Sequence, residues 1–381
     1  MNKKVIIFTS IGGGGHTSAS NALKNYLHNA HDVISVNIFD ELLHELDIFS
    51  ALTFGKYSGE EIYNIFVPKK YFGMLSWFYS FGAWFITLRQ KTIHRILRNY
   101  LIQKKPTLII SVVPIINFII LDVAQELDIP FLLIPTDLDV NMYLLQISNP
   151  LYQEFYIGLP FFDEQIMAPI KRALIPNKQC LIIGAPLNPD FFIIKNKKTL
   201  KKQYSIEQNK PVIMVLMGAR GSCEIENYAT QLLNITSPIH LILCIGRNEE
   251  NRQNITSLPI PAHITVSIVG FTDHIADYMT IADLLISKSG SQSVCEALYT
   301  NTPIFLDATS PSLPWEKFNH LFIKQHGFGN QITEYDLITS QISLAIENSQ
   351  NLLFYKKNLE QLEKINCQKS LMAFLNKILE K

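Results

Sequence analysis

Residues 8–23 read FTSIGGGGHTSASNAL, and His16 follows four consecutive glycines directly. An imidazole is the side chain whose ordinary titration lies nearest neutral pH, so it suits removal of a proton from a hydroxyl. Glycines lose the most conformational entropy on ordering, so four in a row imply that side chains would be in the way. Val5–Phe8 reads as a short buried strand. After the glycines, Ala19, Ala22, Leu23, Tyr26 and Leu27 share one helical face, with Thr17 or Ser18 as the cap. Strand, glycine turn and helix together offer free N–H groups and the positive end of a helix dipole, a place for an anion or a polar head group. A tight connection with no ligand is the competing reading. Neither usual nucleotide fingerprint fits, because no Gly-Lys-Ser/Thr ending follows and no acidic residue stands ready for a ribose.

A second cluster, ISKSGSQSVCEAL at 286–298, runs from a strand end through small residues into a helix. Ser289, Gly290, Ser291 and Ser293 bring N–H groups and hydroxyls to a helix N-terminus, fit for a diphosphate. Glu296 lies about one turn in, where a carboxylate can accept from both ribose hydroxyls; the plainer reading is an acid that complements the dipole. GFTDHIADYM at 270–279 can wrap a base, or serve only as a strand-to-helix connection.

Two alternating sets of strands and helices must position these groups. Strands are expected at 4–9, 33–38, 108–113, 131–135, 154–157 and 181–183, with helices such as 92–103 and 115–127 between them. A second set begins at VIMVLMGARGS (212–222) and continues through 240–246, 264–271, 282–290 and 302–308. Such alternation predicts an α/β fold with parallel, doubly wound sheets and right-handed crossovers. The basic stretch 193–211 reads as a boundary. The expected domains are therefore 1–200 and 201–350, followed by an amphipathic helical stretch at 351–381. Ligands of open α/β sheets lie at the carboxyl ends of strands, so both glycine turns are expected to face a cleft.

Lysine plus arginine and aspartate plus glutamate each total 33 of 381 residues, so the formal charge is zero and nothing favours nucleic acid as a partner. Five scattered cysteines, with no C-x-x-C pair, suit a reducing compartment and argue against a structural zinc site. Val5–Phe8 is too short for a signal peptide, and a cytoplasmic protein is expected. Residues 71–88, YFGMLSWFYSFGAWFITL, carry eight aromatics and no charge; Lys69 and Lys70 precede them, and Arg89 and Lys91 follow. Aromatics concentrate at membrane interfaces and cations meet anionic lipid, which favours peripheral attachment to an anionic membrane surface over a buried core helix or a true span.

Together these motifs resemble the GT-B glycosyltransferases of the monogalactosyldiacylglycerol synthase and diacylglycerol glucosyltransferase type (family 28-like). That group is related to the enzyme adding N-acetylglucosamine to an undecaprenyl-linked precursor. GGGGHTSASNAL resembles the acceptor-side loop, PTDL (135–138) the Thr-Asp pair, and IIGAPLNPDF (182–191) the segment before the hinge. VLMGARGS, LILCIGRN, VGFTDHIADYMTIADLLISKSG, CEALYTNTPIFL and PWEKFNH (314–320) follow in family order across about residues 4–350.

The resemblance implies a UDP-sugar co-substrate, a membrane lipid acceptor, no other cofactor and no metal. It makes His16 the base and Asp137 its helper. Gly15, Gly218, Gly221, Ser289, Gly290 and Ser291 would approach the diphosphate. Phe271 and Ile275 would border the uracil, Glu296 would hold the ribose, and Glu316 and Asn319 would read sugar hydroxyls. Gly12, Gly13 and Gly14, with Trp77, Phe78, Trp84 and Phe85, would serve the acceptor and membrane side. One displacement assisted by a base inverts the anomeric centre and gives a β-glycolipid from an α-linked donor. The donor turn here reads Ser-Gly-Ser-Gln-Ser where the family usually has Gly-Pro-Gly-Thr, and Met142 stands near a family histidine. Three other readings stay open. They are a polyprenyl-linked or soluble acceptor, a silent lipid- or nucleotide-binding relative, and a nucleotide-sugar epimerase of like architecture.

Overall fold

The computed structural model describes residues 3–12, 14–47, 49–50, 53, 56–66, 72–218, 222 and 224–379. It divides into two compact units, Met1–Pro189 with Lys364–Lys381, and Asp190–Glu363. Each unit holds one six-stranded sheet, and every strand pair is parallel.

In the first unit the strands are β1 (Lys3–Thr9), β2 (His31–Asn37), β3 (Leu108–Ser111), β4 (Phe131–Leu133), β5 (Phe155–Leu159) and β6 (Cys180–Ile182). Their order is β2-β1-β3-β4-β5-β6. Helices cover parallel sheets on both faces, so the central strands are apolar throughout rather than alternating. Val5–Phe8 and Leu108–Ile110 are accordingly 0% exposed. The order reverses between β1 and β3, and the turns that leave those two strands flank the switch point where such sheets bind ligands.

The second unit continues with β7 (Val212–Leu216), β8 (Ile239–Gly246), β9 (Ile264–Gly270), β10 (Leu284–Ser287), β11 (Ile304–Asp307) and β12 (Gly329–Ile332). The order is β12-β11-β10-β7-β8-β9, the dinucleotide-fold arrangement, with its reversal between β7 and β10. The turns after β7 and β10 are the two glycine-containing stretches of this half.

Two elements add to the sequence expectation. The chain re-enters the first unit at its end: the helix Cys367–Leu379 buries Leu371 and Leu375 there, and Phe374 packs edge-on against Tyr156. The basic stretch 193–211, expected as a boundary, lies just inside the second unit, which begins at Asp190. It holds a helix, Lys197–Gln203, started by the Asn196 side chain accepting from the Thr199 N–H. Lys197 and Lys356 both reach Asp283, at 2.7 and 2.9 Å, and Lys195 pairs with Asp277. Burial works to raise the Asp283 carboxyl, but the two ammonium groups override it and hold it at about 2. Lys195 and Lys197 of this stretch are thus counter-ions of acids in the second unit.

Candidate active site

In the first unit, the helix after β1 begins at Gly15, with Gly14 as its cap at φ 87° and no side-chain hydrogen bond at that cap. It starts earlier than a Thr17 or Ser18 cap predicts, because Gly14 takes the left-handed turn that a side chain would resist by about 1–2 kcal/mol. The Thr17 hydroxyl instead donates to the Ser10 carbonyl at 3.1 Å. The expected apolar face is in place, with Ala19, Ala22, Leu23, Tyr26 and Leu27 buried. A Cβ built on Gly14 or Gly15 meets nothing within 4 Å, so the turn borders open space. Gly12 donates to the Ser10 hydroxyl at 3.1 Å, while Gly13 lies outside the described residues.

His16 is half-buried at the start of that helix. Its Nδ1 stands 2.9 Å from the Val112 carbonyl oxygen and 2.9 Å from the Thr136 hydroxyl. A carbonyl only accepts, so Nδ1 must carry the proton. In a neutral imidazole the lone pair then sits on Nε2, the nitrogen of a general base. Val112 follows β3 and Thr136 follows β4, so adjoining strand ends of the first unit set the tautomer. Asp137 stands further along the same network: its carboxylate accepts from the Tyr143 hydroxyl at 2.9 Å and is linked to the imidazole through Tyr143 and Thr136.

The second unit gathers a different set. Gly218, after β7, has φ 91°. A Cβ there would stand 3.0 Å from Lys288 Cε and 3.2 Å from its Nζ, and one on Gly290 would stand 3.9 Å from Cε. The Lys288 stem therefore runs beside both glycine turns, and among the described residues no carboxylate pairs with its ammonium group. Gly290 caps the helix Ser291–Tyr299, and no side-chain hydrogen bond is made at that cap. The glycine-capped N-terminus of this helix and the ammonium group on the Lys288 stem beside Gly290 suit an anion. Lys288 is the residue the sequence reading missed; its position between Ser287 at a strand end and a glycine turn is the signal. Gly221 and the neighbouring Arg220 lie outside the described residues.

The helix Lys317–Gln325 and the residue before it brace this turn. Asn319 is 0% exposed and donates to the Ser289 carbonyl at 2.7 Å and to the Ser291 hydroxyl at 2.9 Å. A side chain so enclosed braces the turn through its amide. Glu316 is half-buried and accepts from the Ser289 hydroxyl at 3.3 Å. Glu296 accepts from the Gln292 amide at 3.1 Å, and burial pushes its carboxyl up to about 7. Phe271 is 54% exposed, with the Arg247 guanidinium carbon 3.8 Å from its ring centre. An exposed contact of this kind is worth about 0.5–1 kcal/mol, little enough for an arriving ring to displace it. Ile275 is half-buried at the start of the next helix.

Helix Phe72–Leu88 spans the aromatic segment. The side chains of Trp77 and Phe78 lie outside the described residues. Trp84 is 57% and Leu88 62% exposed, Phe85 is half-buried, and the Arg89 guanidinium sits over the Phe85 ring. Among the described residues no helix is long and apolar enough to cross a membrane, and no group of three or more His, Cys, Asp or Glu is placed to hold a metal ion.

Residues 212–364, most of the second unit, match the glycosyltransferase family 28 C-terminal domain. A processive diacylglycerol beta-glucosyltransferase of Bacillus cereus (strain B4264) is 22% identical over 369 residues, covering 95% of this chain and 90% of its own. The Acinetobacter baumannii MurG crystal structure is 14% identical with a TM-score of 0.67, over 98% of this chain and 99% of its own. The Neisseria meningitidis UDP-GlcNAc 2-epimerase, also 14% identical, scores 0.55 over 99% of this chain and 100% of its own. Fold likeness alone thus spans two reaction classes, and the family 28 match and the curated relatives favour the transferase. The match over residues 212–364 and the curated relatives support a glycosyltransferase, on the two-sheet fold that its structural neighbours share.

Proposed function

We propose that this chain moves a hexose from a UDP-sugar to the hydroxyl of a membrane lipid, diacylglycerol, with inversion at the anomeric carbon. The observation that carries the reading is the 2.9 Å contact of His16 Nδ1 with the Val112 carbonyl oxygen, which leaves Nε2 as the base beside an open glycine turn. The acceptor hydroxyl gives its proton to Nε2, and its oxygen forms the new bond to the anomeric carbon. The bond from that carbon to the diphosphate breaks, and UDP leaves with the electron pair. Lys288 and the N-terminus of helix Ser291–Tyr299 take up the departing charge. Glu296 accepts from the ribose hydroxyls, and Phe271 and Ile275 flank the base.

The lipid acceptor is supported by the diacylglycerol named for the Bacillus relative, aligned over nearly the whole chain. A peripheral seat on an anionic cytoplasmic surface is supported by exposed Trp84 and Leu88 beside Arg89 and Lys91. The test supplies UDP-glucose, UDP-galactose or UDP-N-acetylglucosamine to the enzyme with anionic vesicles, with and without diacylglycerol. UDP release that requires diacylglycerol, with a β-linked glycolipid as product, is the expected result. UDP release indifferent to diacylglycerol would overturn the acceptor, and an α-linked product would overturn the single displacement.

A further inference from the structure

His16 does not orient itself, and the groups that orient it form a chain with one possible direction. The Tyr143 hydroxyl lies 2.9 Å from Asp137 Oδ2 and 2.8 Å from the Thr136 hydroxyl, which lies 2.9 Å from His16 Nδ1. An ionised carboxylate can only accept, so the tyrosine proton points to Asp137. The tyrosine oxygen then accepts the one proton of Thr136. With that proton committed, Thr136 presents only lone pairs to His16 and accepts from Nδ1–H together with Val112.

We propose that Tyr143 is a positioning residue that holds His16 in the tautomer with its lone pair on Nε2; this rests on His16 being the base. Without the tyrosine hydroxyl, Thr136 is free to turn its proton toward Nδ1, where it opposes the Val112 carbonyl, which still calls for a proton there. The share of molecules with the lone pair on Nδ1 then rises, and in those the imidazole faces the acceptor as a donor and not as a base.

The surroundings fix Tyr143 in place. Tyr143 and Asn117 are each 1% exposed. The Asn117 amide donates to the Val113 carbonyl at 2.7 Å and to the Tyr143 carbonyl at 3.1 Å, and its oxygen accepts from Ser111 at 2.7 Å. One buried amide therefore ties the turn that carries Val112 to the turn that carries Tyr143. Ile115, in the same turn, is held at φ 63° with its N–H on the Met142 carbonyl at 2.9 Å. A β-branched residue in the left-handed region costs on the order of 1–3 kcal/mol and persists only where neighbours over-determine it, as they do here.

The test is nitrogen NMR of histidine-labelled protein, reading the two ring nitrogens of His16 in the wild type, Tyr143→Phe and Asp137→Asn, with no substrate present. The wild type should show a protonated Nδ1 and a bare Nε2, and both variants should shift toward the opposite tautomer. Asp137→Asn serves as the second variant because an amide can donate to the tyrosine and reverse the chain with no change in volume. In the vesicle assay kcat should fall about 10²-fold or more in both, with the donor KM within about threefold. A wild-type tautomer unchanged in both variants would overturn the proposal, whatever the activities. A tautomer that shifts in a protein with no transferase activity would uphold it and overturn the reading of His16 as the base of a transferase.

Discussion

Both units put their chemistry at the same address in a parallel sheet, the turns that leave the two strands flanking the switch point, yet they fill it differently. In the first unit the polar groups are satisfied by one another: His16, Val112, Thr136, Tyr143 and Asp137 form a closed chain that leaves one lone pair over. In the second unit Gly218, Lys288 and the N-terminus of helix Ser291–Tyr299 leave their positive ends for something not in the chain itself. A base must be aimed before substrate arrives, whereas a phosphate site must be unpaired until it does. The same fold serves both because its strand ends fix the backbone while the turns decide what is satisfied.

The largest effect should come from breaking both sites together. His16→Ala with Lys288→Met removes a proton acceptor from one unit and a cation from the other, and losses at groups that share no partner multiply. Transfer rates should fall about 10³–10⁶-fold, the product of the two single effects. A double variant no worse than the poorer single one would mean that the two residues do not act independently.

Lys288→Met alone keeps the stem beside Gly218 and removes the charge. Loss of a charge-assisted contact of about 1.5–3 kcal/mol should weaken UDP binding about 10- to 100-fold in titration calorimetry and flatten its salt dependence. Unchanged UDP affinity would remove Lys288 from the site.

Glu296→Gln gives a smaller and pH-dependent effect. Burial holds the Glu296 carboxyl at about 7, above its ordinary value, so the folded state keeps a proton that the unfolded state has lost. The group's stabilising contribution is complete below the ordinary carboxylate value and is lost as pH rises toward 7. The variant should therefore melt higher than the wild type at pH 8 while binding the donor more weakly there. At pH 5, where the wild-type side chain is already neutral, the two affinities should converge.

The smallest effect lies away from both sites. His240 is 5% exposed between Thr265 and Ser267, and burial, aided by Lys210 and Lys201, lowers its imidazole to about 4. The folded state binds fewer protons than the unfolded one between about 4 and the ordinary histidine value, so stability falls as pH drops through that window. His240→Gln should flatten that slope in melts between pH 6.5 and 4 and leave transfer unchanged at pH 8.

The two sites were unequally legible in the sequence. The strands of both sheets show as continuous apolar runs because helices bury both their faces. β12, only Gly329–Ile332, is too short and polar to announce itself. The glycine run and His16 are local and visible, whereas the Asp137 link is not. Its carboxylate acts through Tyr143, whose place beside it comes from Asn117 and the strained Ile115 turn, contacts that no spacing rule contains. Lys288 looks like any solvated cation until Gly218, 70 positions earlier, is found against its stem. Asn319 has the residue type of a sugar reader, but the burial that makes it a brace depends on how its helix packs.

The most direct test of the central claim is the single-turnover rate of hexose transfer from UDP-sugar to vesicle diacylglycerol in His16→Ala, at saturating donor. The account predicts a rate about 10²–10⁴-fold below wild type, with UDP affinity unchanged. A variant within about threefold of wild type would show that another group takes the acceptor's proton.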